Sequence, residues 1–449
     1  MRLRHVVTCF LRRPADGAVL LGQRSSEVST YQSRWAAISG SVEHSTPLEQ
    51  AYQEIEEETG LASPRVELEA EGWPIRFPDW KLGTVWVVHP YLFRCKAPED
   101  VKHDWEHVRF RWVNPDEITE LDTVPRLHEA YLSVDRAFRS GGRYGCAEVF
   151  RMVEEDRSHG AAELGLWTLM GLRAALKESG EQCASCQEAL QQLTQDCRQA
   201  ADLRPSMAPP LSAALGAFQV FKSEMSDDGQ RLADAIERAD EKLDTLIRSR
   251  EEAPLKAAGA ARECINDGDC VVTLSYSSTV LATIHESAEK IGKVIVAESR
   301  PACEGRKTAR AAAAMGIETE LMTDAAAAFV CTQADRILLG ADSVTAHGSV
   351  LNKTGSLALS CVAYCHGIDT TAVTTTDKFL PGQRDARMEQ MSPEELGAPI
   401  EGVTVKNPYF EPVPVDMIND LVTEQGRIGD ARRRELHRSL QSVYNKMVC

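Results

Sequence analysis

No part of this sequence is apolar over the roughly 20 residues that a membrane-spanning helix needs. No secretory leader is expected at the start either. Arg2 and Arg4 precede only a short apolar run, Val6–Leu11, which Arg12 and Arg13 end at once, so this segment reads as a strand. These two absences lead us to expect a cytoplasmic protein. Basic residues are also in short supply: 50 Lys and Arg face 67 Asp and Glu, a net charge of −17. Such a surface argues against broad binding to nucleic acid or to an anionic membrane. Cysteine pairing is absent in a different sense. The 13 cysteines are odd in number and scattered singly through apolar segments, as at Cys9, Cys95, Cys331 and Cys361. Reduced, buried thiols are expected. The one close pair, Cys183 and Cys186, has no second pair at zinc-site spacing.

A chain of 449 residues is too long for one hydrophobic core, so two or three domains are expected. In the first third, His5–Phe10, Ala18–Gln23, Trp35–Ser39, Thr84–Cys95 and Arg109–Val113 read as strands, with one strong helix at Pro47–Thr59. This predicts an α+β domain over 1–137. Ser140–Tyr144 (SGGRY) has linker composition. A helical region follows over 148–255. Pro205, Pro209 and Pro210 are expected to break it once, and Asp227–Glu252 reads as a solvated amphipathic helix. From 256 to 449 short apolar runs alternate with helical ones. Val271–Ser275, Val294–Glu298, Thr319–Thr323, Ile337–Gly340, Thr371–Thr375 and Asp420–Glu424 are the expected strands; Thr279–Ile291, Lys307–Met315 and Leu357–His366 are the expected helices. That alternation predicts an α/β, Rossmann-like parallel sheet with its ligand site at the carboxyl ends of the strands.

The segment Ser39–Leu61 concentrates the chemistry of the first domain. Thr46 can cap a helix, Pro47 suits its first position, Glu49 completes a capping box and Gly60 suits a left-handed end. On that helix Glu54, Glu57 and Glu58 stand at i, i+3 and i+4, so they share a face. Three carboxylates repel one another. A hard divalent cation, Mg2+ or Mn2+, would relieve the repulsion and bind diphosphate oxygens. The plain alternative is a solvated acidic face.

The run Gln53-Glu54-Ile55-Glu56-Glu57-Glu58-Thr59-Gly60 resembles the end of the Nudix box. Gly17–Arg24, Trp35–Gly40 and Trp112-Val113-Asn114-Pro115 resemble the strands around it. The resemblance implies a metal-dependent hydrolase of a nucleoside diphosphate derivative, with Glu54, Glu57 and Glu58 as metal ligands. Glu106 is the candidate for the further acid that the family often draws from a distant loop. Two departures stand out: Gln53 replaces the arginine of the box, and the loop before the helix is one residue short.

In the last part, features of phosphate sites gather at expected strand ends. Ser299-Arg300-Pro301 and Gly305-Arg306-Lys307 follow one strand, the latter opening a helix. Asp342 follows another, then Gly348 and Asn352-Lys353-Thr354-Gly355 at an expected helix start; Lys378 follows a third. Together Glu298–Gly305, Gly340–Gly355, Asp377–Phe379, Asn407–Gly426, Ser158–Leu164 and Arg204–Met207 resemble the initiation factor 2B alpha/beta/delta family, which includes ribose-1,5-bisphosphate and methylthioribose-1-phosphate isomerases. The resemblance implies a phosphorylated sugar or nucleotide bound by His159, Gly160, Ser275, Arg300, Asn352, Lys353 and Lys378. It implies a homo-oligomer as well. Asp342 matches the family's catalytic aspartate. Ser275 stands where the isomerases carry a cysteine, and a hydroxyl is a much poorer proton donor than a thiol. His159 stands where they carry an arginine.

The reading that results is a Nudix-type hydrolase joined to a regulatory phosphometabolite-binding region. A bifunctional sugar-phosphate enzyme with aldose–ketose isomerase activity is the first alternative, and a non-catalytic assembly protein the second.

Overall fold

The computed structural model describes every residue except 227–229, 383–387, 389–390 and 399. The start of the expected charged helix, at 227–229, therefore lies outside the described residues. Two compact units divide the chain, one formed by Arg2–Tyr144 and the other by Gly145–Cys449 with Met1.

The first unit is built on an eight-stranded mixed sheet. Its strands are β1 (Arg2–Arg12), β2 (Val19–Arg24), β3 (Trp35–Ala36) and β4 (Ile38–Ser41), then, after helix α1 (Pro47–Thr59), β5 (Val66–Glu71), β6 (Ile75–Asp79), β7 (Thr84–Cys95) and β8 (His107–Val113); helix α2 (Leu127–Arg139) closes the unit. Strand β1 runs parallel to β7 from Arg2↔Thr84 to Arg12↔Arg94. Its other edge is antiparallel to β4, with Val7 opposite Gly40. Because side chains alternate along a strand, Val7, Cys9 and Leu11 point to one face and pack with Ala51 and Ile55 of α1. Phe10 points to the other and meets Tyr131 of α2 edge-on at 5.5 Å.

Helix α1 has the bounds its caps dictate. Thr46 accepts from the Glu49 amide, the Glu49 side chain reaches back to Thr46, and Gly60 ends the helix at φ 72° with its N–H on the Glu56 carbonyl. The single strand expected at Trp35–Ser39 is two strands: β3 pairs with β2 while β4 pairs with β1.

In the second unit five helices come first: α3 (Cys146–Glu155), α4 (Ala161–Gln182), α5 (Cys186–Ala200), α6 (Ala208–Met225) and α7 (Leu232–Ala261). The one break at prolines falls as expected at 201–207, with Pro205 inside it; Pro209 and Pro210 lie in the first turn of α6, where an amide N–H has no intrahelical partner to lose. Further breaks without proline fall at 156–160 and 183–185.

The rest of the unit alternates: β9 (Asp269–Leu274), α8 (Ser278–Glu286), β10 (Ile291–Ala297), α9 (Gly305–Ala314), β11 (Glu318–Met322), α10 (Asp324–Val330), β12 (Arg336–Leu339), β13 (Ser343–Val344), β14 (Ser349–Lys353), α11 (Ser356–His366), β15 (Asp369–Val373), β16 (Phe410–Pro414), β17 (Asp420–Thr423), β18 (Gly426–Arg427) and α12 (Asp430–Val448). Seven of these strands form one sheet in the order β11-β10-β9-β12-β15-β17-β18. All but β18 run parallel. The chain moves outward from β9 in one direction and from β12 in the other, so the order reverses between these two strands. The carboxyl ends at such a reversal leave a crevice. A small antiparallel sheet, β13-β14-β16, stands beside it. It moves Asn352 and Lys353 from the expected helix start onto β14, with Gly355 capping α11.

The amino ends of the parallel strands are held by charge. Arg336, 7% exposed, opens β12 and lies 3.8 Å from Asp269, 3.5 Å from Asp369 and 3.9 Å from Asp420, which open β9, β15 and β17. Its guanidinium also donates to the Thr371 hydroxyl at 3.0 Å. Among the described residues, no helix is long and apolar enough to cross a membrane.

Candidate active sites

The first site lies where α1 crosses the end of β4. Glu58 is buried, 2% exposed. Its Oε1 accepts from the Ser39 amide at 3.0 Å, while Oε2 has no hydrogen-bond partner and lies 3.6 Å from His107 Nδ1. Burial, then the charges of Glu106, Glu54 and Asp104, push its carboxyl well above the usual range. The Glu54 carboxylate rests on Gly40 so closely that a Cβ there would come within 1.7 Å of Oε1 and push the carboxylate aside. Burial raises the Glu54 pKa too, with Glu57, Glu106 and Asp104 adding to the rise and a 2.7 Å bond from Gln50 opposing it. Glu106 is raised by burial and by Asp104. Glu57 stands exposed at the rim and accepts from Gln53 Nε2 at 2.7 Å. The glutamine in the arginine position therefore keeps a bond to the acidic face without neutralising it.

Glu54, Glu58 and Glu106 thus converge, with Glu57 at the edge. Sequence reasoning missed Asp104 and His107. The signal was available in Asp104-Trp-Glu-His107, an acidic cluster directly before β8. His107 is buried, its Nδ1 lies 3.3 Å from Asp104, and burial lowers its pKa. Among the described residues no three acidic, histidine or cysteine side chains stand at metal-holding spacing. The donor chemistry nonetheless fits a hard cation: the set is mostly carboxylate, and one buried carboxylate oxygen has no hydrogen-bond partner among the described residues.

The second site lies at the carboxyl ends of the parallel strands. Asp342 follows β12; burial raises its pKa against the opposing pull of Lys378, Lys353 and Arg204, and Glu304 adds to the rise. Lys378, buried, donates to the Ala341 carbonyl. Lys353 pairs with Glu304 at 2.8 Å and lies 4.2 Å from the Tyr409 ring centroid. Asn352, also buried, donates to Ser356 Oγ at 2.9 Å. Ser275 ends β9 in the left-handed region, φ 59°, with Ser299 and Cys303 at φ 61° and 54° after β10. Three non-glycine residues at such angles concentrate strain at one end of the sheet.

His159 lies on the loop before α4. It is bonded to Asp156 at 2.8 Å, which raises the His159 pKa, and it senses the charge of Lys307. Gly160 caps α4. Arg300 is exposed, and its guanidinium donates to the Pro301 carbonyl at 3.5 Å. Sequence reasoning passed over Glu304, although it quoted the segment that holds it, and Arg204, which is buried, donates to the Asp156 carbonyl at 2.9 Å and acts electrostatically on Asp342.

Gly305 locks the loop between β10 and α9, since a Cβ there would meet the Ala297 carbonyl oxygen at 2.0 Å. Backbone cannot yield as a side-chain tip can. Gly305→Ala is expected to cost about 1–3 kcal/mol, read as a lower denaturation midpoint for the second unit; an unchanged midpoint would mean that the loop tolerates the shift.

A parallel sheet with its site at the carboxyl ends, preceded by a helical region, defines the class of the second unit. The chain belongs to the initiation factor 2 subunit family, whose profile matches residues 157–429; a NUDIX domain matches residues 2–133. A ribose 1,5-bisphosphate isomerase of Haloferax volcanii is 30% identical over 286 residues, covering 61% of this chain and 86% of the relative. A translation initiation factor eIF-2B subunit 2-like protein of Pyrococcus horikoshii is 33% identical over 183 residues, covering 40% of this chain and 65% of that relative. Of solved structures, the translation initiation factor eIF-2B of Pyrococcus horikoshii OT3 matches with a TM-score of 0.52 at 27% identity, over 63% of this chain and 96% of that one. The tetrameric eIF2B-beta2-delta2 complex of C. thermophilum shares the fold, with a TM-score of 0.54 at 16% identity, over 68% of this chain and 96% of that one.

Proposed function

We propose that the first unit hydrolyses the phosphoanhydride of a nucleoside diphosphate derivative and that the second binds a phosphorylated sugar or nucleotide. The observation that carries the first half is the convergence of Glu54, Glu58 and Glu106: the charge of Glu106 is felt at both of the others and that of Glu54 at Glu58, while Glu106 itself is raised by Asp104 and Glu57. Such mutual repulsion is costly unless a cation is to be gripped. Glu54 and Glu58 would hold Mg2+ or Mn2+, with Glu57 at the rim completing the acidic face. A bound divalent ion supplies charge neutralisation of the diphosphate and a lowered pKa for the attacking water. Glu106, poised above the usual carboxylate range, is suited to accept that water's proton. Gln53 orients Glu57, and Ser39 fixes Glu58. The test is a panel of nucleoside diphosphate derivatives with Mg2+ or Mn2+, following release of phosphate-bearing products. Absence of turnover on every member would sink this half.

For the second unit, Lys353, Lys378, Asn352 and the strand ends offer cationic and polar groups to a phosphate ester, and Ser275 in the cysteine position supports a regulatory role. A second reading, aldose–ketose isomerisation, is favoured by Asp342. It is a half-buried carboxyl whose raised pKa suits proton transfer, in a chain similar to proteins named ribose 1,5-bisphosphate isomerase. Under this reading Asp342→Asn lowers ketose formation from ribose 1,5-bisphosphate, followed by NMR, by on the order of 10²–10⁴-fold; equal rates would rule it out. Assembly with further copies of the chain belongs to the same proposal. Support comes from the relative described as a tetramer and from the exposed Phe329 and Tyr364 on α10 and α11. An expected cytoplasmic location and the absence of a nucleic-acid partner remain proposals resting on composition.

A further inference from the structure

Glu304 is the point at which the groups of the second site meet. Its Oε1 accepts from Lys353 Nζ at 2.8 Å, and its Oε2 accepts from Ser275 Oγ at 3.4 Å. Its charge is felt at Asp342. The side chain is only 25% exposed. Its position is enforced from both sides. Gly305 packs on the Ala297 carbonyl, so the loop that follows β10 must close tightly and leave Glu304 as the last residue before α9. The ring centroids of Tyr409 and Phe410, 4.2 and 5.5 Å from Lys353 Nζ, hold that ammonium against the carboxylate. Ser275 carries no ionisable group of use near neutral pH, so the carboxylate it touches, and not its hydroxyl, is the base available at the end of β9.

We propose that Glu304 is the second proton-transfer group of this pocket, working opposite Asp342 on a cyclic aldose 1-phosphate. This rests on the isomerase reading above. Glu304, as carboxylate, takes the proton from C2, and the C–H electron pair becomes the C1=C2 bond. The bond from C1 to the ring oxygen breaks, its pair stays on that oxygen, and protonated Asp342 gives the oxygen its proton. The resulting enol then returns its C2 hydroxyl proton to Asp342 as Glu304 gives its proton to C1. The product is a ketone at C2 with the phosphate ester still on C1. Each carboxyl ends as it began, and no oxidant or reductant is needed. Desolvation of Asp342 favours its neutral form, which suits it to give the first proton.

The experiment uses the full chain and ribose 1,5-bisphosphate, with ketose formation followed by NMR and affinity by calorimetry. We expect wild type to form the ketose and Glu304→Gln to lose turnover by at least about 100-fold. We expect Kd to stay within about threefold, because the amide keeps the side-chain shape and one hydrogen-bonding oxygen. Glu304→Asp, which keeps the charge but shortens the reach, should fall between the two. If wild type turns over and Glu304→Gln is as fast, the assignment of Glu304 is wrong while the isomerase reading stands. If wild type makes no ketose, both fall. Should Glu304→Gln not fold, Glu304→Asp decides: a lowered kcat at unchanged Kd supports the role, and a wild-type kcat overturns it.

Discussion

In Glu58→Gln, hydrolysis of nucleoside diphosphate derivatives falls by at least about 100-fold, the upper end of what is lost when a mere outer-sphere partner of a metal ligand is removed. The substitution is chosen so that fold and chemistry separate. Glutamine keeps an oxygen to accept from the Ser39 amide, so the packing of α1 on β4 survives. What is lost is the charge, and with it the buried Oε2 that has no hydrogen-bond partner among the described residues. Stability should move the other way. The folded pKa of Glu58 lies above its unfolded value of about 4.3, so the wild-type carboxyl withdraws stability as pH rises from that value through the folded pKa. Near neutral pH, Glu58→Gln is therefore expected to melt higher than wild type. A variant that is both inactive and less stable would mean that Glu58 serves only to pack the helix.

The largest effect on stability is expected from Arg336→Met. This one guanidinium reaches the carboxylates at the amino ends of β9, β15 and β17. Asp269, 9% exposed, would have its charge left in a poorly solvated place; Asp420 keeps Arg427 at 3.0 Å, and Asp369, 51% exposed, can return to water and is discounted. Removing one partner of a buried pair typically costs about 3–5 kcal/mol, and contacts of this length argue for the lower end. Denaturant unfolding of the second unit measures it. A change below about 1 kcal/mol would show that the network is decorative. The sheet thus divides its labour: charges at the amino ends hold strands together, and charges at the carboxyl ends face a ligand.

Much of this was legible in the sequence because the signals were local. Helix α1 could be bounded to the residue, since Thr46, Pro47, Glu49 and Gly60 each act within one turn. The parallel strands announced themselves as short apolar runs. Strands β5 and β6 did not: Val-Glu-Leu-Glu-Ala-Glu and Ile-Arg-Phe-Pro-Asp carry charges or a proline that belong to pairing at one side of β7, and only the pairing explains them. The prolines marked the break before α6, but the breaks at 156–160 and 183–185 carry no proline to announce them. At the sites, spacing along one helix exposed Glu54, Glu57 and Glu58. Asp104 and His107 were legible in the short run before β8 but were passed over, whereas Arg204 and Glu304 were hidden because their roles come from residues far away in the chain.

The central claim is that the carboxylates at the start of the chain are gathered to hold a divalent cation. Calorimetric titration of the metal-free full chain with Mn2+ tests it most directly, comparing wild type with the double variant Glu54→Gln, Glu58→Gln. Binding to wild type that disappears in the double variant is the result expected. No binding to wild type, or the same affinity in both proteins, would contradict it.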